Sequence, residues 1–400
     1  MIAIETQLLF DGARLLEGRR IVLLDGKRIA GVVTRRGDIP RKASREILAP
    51  EMILAPGLID LQVNGGGGVL FNDTPTVEGL ATIVAAHRGA GTTSLLPTLI
   101  SASRAQLLAG MAAARAAVAW PELSGVLGLH VEGPFIAAAR RGIHPAPVSA
   151  RPDLAFAGIL GQPAPKGAVW RLLVTLAPEL ADPVALRHML PAGTIVFAGH
   201  SDATYEQIRA FADAEGGVGL AGFTHLFNAM SPLAGRAPGV VGAALAMPDT
   251  YAGIIVDGYH VHPGSVAAVL AAKGVDRLFL VSDAMPTVGS KLDRFLLNGS
   301  EIRLVGGRLT DAGGTLAGAH LTMAEAVRNL VEQVGVDVAD ALRMATATPA
   351  SVLGLRDRGR VRKGWRGDLV VLDAKLRVCG VWVQGIPVHG NVEERPRLNV

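Results

Sequence analysis

Short apolar runs alternate with Ala-rich helical stretches through most of this chain, and that alternation points to an α/β fold with a parallel sheet. Residues 91–99, 126–132, 172–176, 194–200, 218–225, 252–260 and 278–283 read as buried strands. Residues 78–88, 104–118, 183–190, 205–214 and 263–272 read as the helices between most of them. The apolar run that ends at Gln62 and Asn64 brings the total to about eight strands, the number of a (β/α)8 barrel. A doubly wound open sheet fits the same alternation. Polar residues favour the barrel, because they close many successive strands, and a barrel assembles its site at the C-terminal ends of its strands. No Gly-rich dinucleotide fingerprint or phosphate-binding loop is present; Gly65 to Gly68 follows the first strand but lacks the spacing and the helix.

The two ends of the chain differ from its middle. Short β-like runs occupy residues 2–10 and 21–33, with Asp25-Gly26 as a hairpin signal, and again 368–373 and 378–383. Neither end has enough strands for a stable sheet, so pairing the two is the economical solution. The expected architecture is a TIM-like barrel with a small β-sandwich domain formed by the N- and C-terminal segments. Residues 1–54 and 359–400 would supply that β domain, and 55–358 the barrel.

Half of the 400 residues are hydrophobic, enough for a large core. No stretch approaches the roughly 20 apolar residues of a spanning helix, and no signal-like segment opens the chain, so a cytoplasmic protein is expected. The net charge of +4 is scattered. Its one cluster, residues 356–366, lacks the aromatic partners of a nucleic-acid surface and reads as a solvated turn. Neither nucleic acid nor membrane is expected as a partner. The single cysteine, Cys379, excludes an internal disulfide framework or a Cys-based zinc cluster, and its apolar run places it in the core.

Four strand ends carry the chemistry: Glu132, His200, His225 and Asp283. Any one of them has a bland explanation, since a strand-end His is more often a satisfied buried imidazole, and Glu132 could pair with an Arg. Their recurrence after successive apolar strands is harder to dismiss, because an unpaired buried charge costs several kcal/mol or titrates away. One carboxylate and two imidazoles make a common three-ligand catalytic metal site with an open position. His130 shares a face with Glu132 and reads as a supporting residue. Gln62 and Asn64 alternate on one face of the first strand, but amide carbonyls are poor zinc ligands.

The chain resembles the amidohydrolase superfamily and, within it, the N-acetylglucosamine-6-phosphate deacetylases, nearly end to end. The resemblance rests on Pro56-Gly-Leu-Ile-Asp-Leu-Gln-Val-Asn64-Gly, His130-Val-Glu-Gly-Pro134-Phe, Gly199-His-Ser-Asp-Ala-Thr204, Thr224-His-Leu-Phe-Asn-Ala-Met230, Asp257-Gly-Tyr-His260 and Val281-Ser-Asp-Ala284. Leu316-Ala-Gly318 and Leu321-Thr-Met-Ala-Glu-Ala-Val-Arg-Asn329 extend it. It implies that Glu132, His200 and His225 ligate one divalent metal per subunit, with Zn²⁺ the best match and Fe²⁺, Co²⁺ or Mn²⁺ compatible. Asp283 would be the catalytic acid/base, and His144 would stabilise the oxyanion. Substrate contacts are implied at Ile143, His144, Asn228, Ala229, Asp257, Gly258, Tyr259, His260, Leu316, Ala317 and Gly318. Arg236 and His260 would hold a phosphate, Arg236 across a homodimer interface. Amidohydrolase barrels usually write His-x-His where this chain has Gln62 and Asn64, which implies a vestigial first metal position and a mononuclear centre. Asp202 departs from the more usual Asn.

The implied reaction deacetylates N-acetyl-D-glucosamine 6-phosphate to D-glucosamine 6-phosphate and acetate in amino-sugar catabolism. Deacetylation of the galacto epimer, another amidohydrolase reaction such as cyclic-amide hydrolysis, and a non-catalytic binding scaffold are the competing readings. Cyclic-amide enzymes often use a modified lysine at a binuclear centre, and no Lys occupies a matching strand end here.

Overall fold

Strands buried on both faces need apolar side chains at every position, and the middle of the chain supplies them. In the computed structural model, which describes residues 1–145, 152–162 and 164–389, eight such strands form one sheet. Residues 146–151 and 163 of the expected barrel segment, and 390–400 of the expected terminal one, lie outside the described residues. The strands are Leu58–Val63, Thr92–Ile100, Gly128–Glu132, Arg171–Leu176, Ile195–Ala198, Gly222–Phe223, Tyr251–Ile254 and Leu278–Leu280, each beside its predecessor in sequence. The circle closes where Val63 bridges Ala284 in parallel and the Asp283 amide donates to the Gln62 carbonyl at 3.0 Å. The fold is therefore the expected parallel (β/α)8 barrel.

Helix Arg104–Ala119 shows how the outer layer is fixed. Ser103 and Gln106 form a reciprocal capping box at its start. Leu107, Met111, Ala114 and Ala117 bury one stripe at helical spacing. Gly110 lies in that stripe because a Cβ there would meet Leu99 Cδ1 at 2.6 Å. The shared core includes Leu99, Leu129, Val131, Val174 and Val196 from the strands.

A three-stranded antiparallel sheet, Arg294–Leu297, Ser300–Val305 and Arg308–Thr310, was not expected from the sequence. It buries Leu297, Ile302 and Leu309 against Leu70, Ile100, Met285 and Ala317. Left-handed residues make both of its turns, Asn298 with Gly299 and Gly306 with Gly307.

The terminal strands pair as expected. One eight-stranded sheet runs in the order Ile386–His389, Val378–Val383, Leu369–Leu372, Ile53–Pro56, Ile2–Phe10, Leu15–Asp25 and Arg28–Val33, with Ser44–Ile47 also paired to Ile2–Phe10. Alternation sorts its faces: Ile4, Val22 and Leu24 join Leu369, Val371 and Trp382 in one core, while Ala3, Ile21 and Leu23 pack with Ile39. The described chain forms two compact units: Met1–Asp60, His87–Ser94 and the described residues from Thr322 in one, Leu61–Ala86 and Leu95–Leu321 in the other. The basic run at 356–366 is not wholly a solvated turn. Arg358 is buried with Asp357 and Ser94, and Arg366 pairs with Asp368. Among the described residues no helix is long and apolar enough to cross a membrane.

Candidate active site

Three of the four strand-end residues share an uncommon backbone: φ is +49° at His200, +30° at His225 and +51° at Asp283. Left-handed φ cannot continue a strand, and non-Gly residues in that region cluster at functional sites. These residues end their strands' hydrogen-bonding pattern and line a cavity of about 470 Å³ together with Glu132, the last residue of Gly128–Glu132.

Within the cavity, His225 Nε2 lies 2.9 Å from Glu132 Oε1 and 3.1 Å from His200 Nε2, and His200 Nε2 lies 3.3 Å from the same carboxylate oxygen. Ligands about 2.0–2.1 Å from a tetrahedral zinc stand about 3.3 Å apart. Two facing imidazole nitrogens and a carboxylate oxygen at that spacing suit a cation. His200 Nδ1 donates to the Arg140 carbonyl at 2.8 Å, which turns Nε2 towards the cluster, the nitrogen that would meet a bound cation. Glu132, His144 and His200 also place ligand atoms within 4.8 Å of one another. In that set His144 Nδ1 is engaged by Ser101 Oγ at 2.6 Å. The Glu132–His200–His225 set is the better metal cradle.

Asn64 lines the cavity, Gln62 lies behind its carboxylates, and both act as donors. Gln62 Nε2 reaches Glu132 Oε1 and Oε2 at 3.2 and 3.3 Å and Asp283 Oδ1 at 3.0 Å. Asn64 Nδ2 donates to Asp283 Oδ1 at 2.6 Å. Carboxylates only accept hydrogen bonds when ionised, so the amide nitrogens belong on this side.

Charge in the site follows from burial and these contacts. Burial opposes ionisation of Glu132, but hydrogen bonds from His200 and His225 hold its carboxyl well below the usual range. Burial, reinforced by Glu132, pushes Asp283 up to about 6. Burial drives His144 well below the ordinary imidazole value, so its ring is neutral. His225 is raised, because Glu132 outweighs burial. His130 does not line the cavity: its ring nitrogens lie 3.2 Å from Thr98 Oγ1 and 2.8 Å from Thr175 Oγ1, and burial lowers it to about 4.

The other expected residues sort by geometry. Ile143, His144, Asn228, Ala229, His260, Leu316 and Gly318 line the cavity. Asp257 does not; it holds His260 Nδ1 at 2.6 Å and accepts the backbone N–H groups of Tyr259 and His260, each at 2.8 Å. Gly258 supplies the left-handed turn of that loop at φ +81°. Tyr259 turns away, its hydroxyl donating to the Gly306 carbonyl at 2.5 Å. Ala317 is buried in the core shared with Met285 and Leu309 and does not line the cavity. Arg236 is exposed and does not line the cavity. Asp202 pairs with Arg140 at 2.7 Å, so its extra charge is matched by a guanidinium on the loop whose carbonyl orients His200.

Two contributors were missed in the sequence. Arg140 lines the cavity and anchors His200 through its carbonyl, a backbone role that no side-chain motif signals. Ser101 follows Thr92–Ile100 with φ +32°, and its place after a barrel strand was the available clue.

The amidohydrolase family model matches residues 53–392. An N-acetylgalactosamine-6-phosphate deacetylase from Shewanella sp. (strain ANA-3) is 40% identical over 83% of this chain and 82% of its own length. An N-acetylglucosamine-6-phosphate deacetylase from Haemophilus influenzae is 38% identical over 83% and 85%. The crystal structure of N-acetylglucosamine-6-phosphate deacetylase from Pasteurella multocida superposes with a TM-score of 0.89 at 32% identity, covering 96% of this chain and 99% of that one.

Proposed function

The chain belongs to the amidohydrolase family of metal-dependent hydrolases, and we propose that it deacetylates N-acetyl-D-glucosamine 6-phosphate to D-glucosamine 6-phosphate and acetate. The observation that carries this reading is the convergence of Glu132, His200 and His225 beside Asp283 in one cavity. Glu132, His200 and His225 hold one divalent ion, with Zn²⁺ best suited to two imidazoles and a carboxylate. When bound, that ion supplies positive charge which polarises the acetamido carbonyl and acidifies water. Asp283 takes a proton from the attacking water, held in place by Gln62 and Asn64. His144 offers a hydrogen bond to the developing oxyanion. Asp283 then returns the proton to the leaving nitrogen, since an amide nitrogen does not depart as an anion near neutral pH.

His260, oriented by Asp257, faces the cavity as a donor for the 6-phosphate. Arg236 supplies a planar fork for the same group from a neighbouring subunit of a homodimer, which accounts for its exposure in a single chain. The terminal segments form the small β domain, and the enzyme works in the cytoplasm in amino-sugar catabolism.

Two relatives favour a second reading: the Shewanella protein and one from Escherichia coli O157:H7 are N-acetylgalactosamine-6-phosphate deacetylases. Acetate release from the two epimers, measured side by side on metal-loaded enzyme, decides between them. A higher kcat/KM for the gluco substrate is expected; a higher value for the galacto substrate would reassign the enzyme. Asp283→Asn should keep its metal and lose turnover by several orders of magnitude, and near-normal turnover would remove Asp283 from the chemistry.

A further inference from the structure

His144 can serve an oxyanion only if its cavity-facing nitrogen carries a proton. In a neutral imidazole that depends on what the other nitrogen does. His144 Nδ1 lies 2.6 Å from Ser101 Oγ, and among the described residues Nε2 has no protein partner, while the residue lines the cavity. A serine hydroxyl has one proton to place. Among the described residues, Ser101 Oγ has no hydrogen-bond partner other than His144.

If Nδ1 carried the ring proton, the serine would accept it and its own proton would have no protein acceptor. The reverse arrangement pairs both atoms. We propose that Ser101 is a positioning residue, which donates its hydroxyl proton to His144 Nδ1 and so fixes the ring as the tautomer with Nε2–H facing the cavity. The assignment rests on the reading of His144 as the oxyanion donor.

The backbone is shaped to hold that hydroxyl. Ser101 has φ +32°, a region unfavourable to any side chain, and its amide donates to the Glu132 carbonyl at 2.7 Å. Gly133, at φ +78°, leaves the room: a Cβ there would stand 2.5 Å from Ser101 Oγ. Strain at one residue and a missing side chain at another converge on a single oxygen. The hydroxyl is thereby tied to the strand end that carries Glu132, and His144 is registered against the metal cradle.

The test compares the metal-loaded enzyme with Ser101→Ala and Ser101→Gly. The glycine variant removes the hydroxyl while suiting the left-handed backbone, so a folding defect confined to the alanine variant is set apart. Isotope-labelled histidine nitrogens, with the His144 signals identified by their loss in His144→Gln, report the tautomer directly. A protonated Nε2 and bare Nδ1 are expected in the unsubstituted enzyme. In folded Ser101→Gly the proton should be shared with or moved to Nδ1, with kcat down about ten- to a hundredfold and KM within about twofold. A bare Nδ1 that persists in folded Ser101→Gly overturns the proposal, as does a protonated Nδ1 in the unsubstituted enzyme. The kcat of His144→Gln tests the underlying oxyanion reading separately, because the tautomer signal does not depend on turnover.

Discussion

At the scale of single residues, the amides of the first barrel strand have a present use. Two carboxylates crowd one wall of the cavity, and Gln62 and Asn64 give them N–H donors. Asn64 also lowers an Asp283 carboxyl that burial and Glu132 raise. Asn64→Leu keeps the branched heavy-atom shape and removes the donor. We expect kcat to fall about ten- to a hundredfold with metal content unchanged, read by steady-state kinetics beside metal analysis; full activity would mean that Asn64 merely fills space. The same charges predict a pH dependence of metal binding. In the metal-free protein Asp283 titrates near 6 and His225 above its ordinary value. A bound cation favours the carboxylate and requires a bare imidazole nitrogen, so both groups are driven to release protons. Proton release per ion should therefore rise as the pH falls from about 8 to about 6. Calorimetry in buffers of different ionisation enthalpy measures it, and a release independent of pH would contradict the charge states assigned here.

At the scale of elements, the strands were readable and their ends were not. The runs at 194–200 and 252–260 are strand only over Ile195–Ala198 and Tyr251–Ile254. In the first, His200 turns left-handed, a backbone choice that no apolar pattern encodes. Charged or imidazole side chains made Glu132, His200, His225 and Asp283 conspicuous, whereas Ser101 has no charge to draw notice. The small antiparallel sheet escaped for a similar reason. Leu297, Ile302 and Leu309 are buried, but exposed Leu296, Glu301, Arg303 and Val305 interrupt any core signal. Asn298-Gly299 and Gly306-Gly307 were the turn signals that could have found it. That sheet is latched by Tyr259, whose hydroxyl donates to Gly306 while Arg308 lies 5.6 Å over its ring. Tyr259→Phe keeps the ring contact and removes one hydrogen bond, worth roughly 0.5–1.5 kcal/mol. Amide exchange across residues 294–310 should quicken while the barrel strands stay protected. Unchanged exchange would show that packing of Leu297, Ile302 and Leu309 alone holds the sheet.

At the scale of the whole molecule, the three metal-ligand candidates sit on different strand ends, separated in sequence by 68 residues between Glu132 and His200 and 25 between His200 and His225. An unfolded chain gathers such ligands only by closing long loops, so the ion binds the folded barrel and adds its binding energy to that fold. At free metal a thousandfold above Kd, this linkage amounts to about 4 kcal/mol. The sequence made the donor set legible, but the number of ions depends on where the Gln62 and Asn64 amides point, and only the geometry gives that. Their N–H groups lie on the carboxylates, which is why a single ion per chain is the expected outcome. Chelation should abolish deacetylation and lower the Tm by several degrees, and adding back Zn²⁺ should restore both together, with saturation at one ion per chain. Activity that keeps rising towards a second equivalent, or a second ion lost on Gln62→Leu, would mean that the first strand still takes part in metal binding.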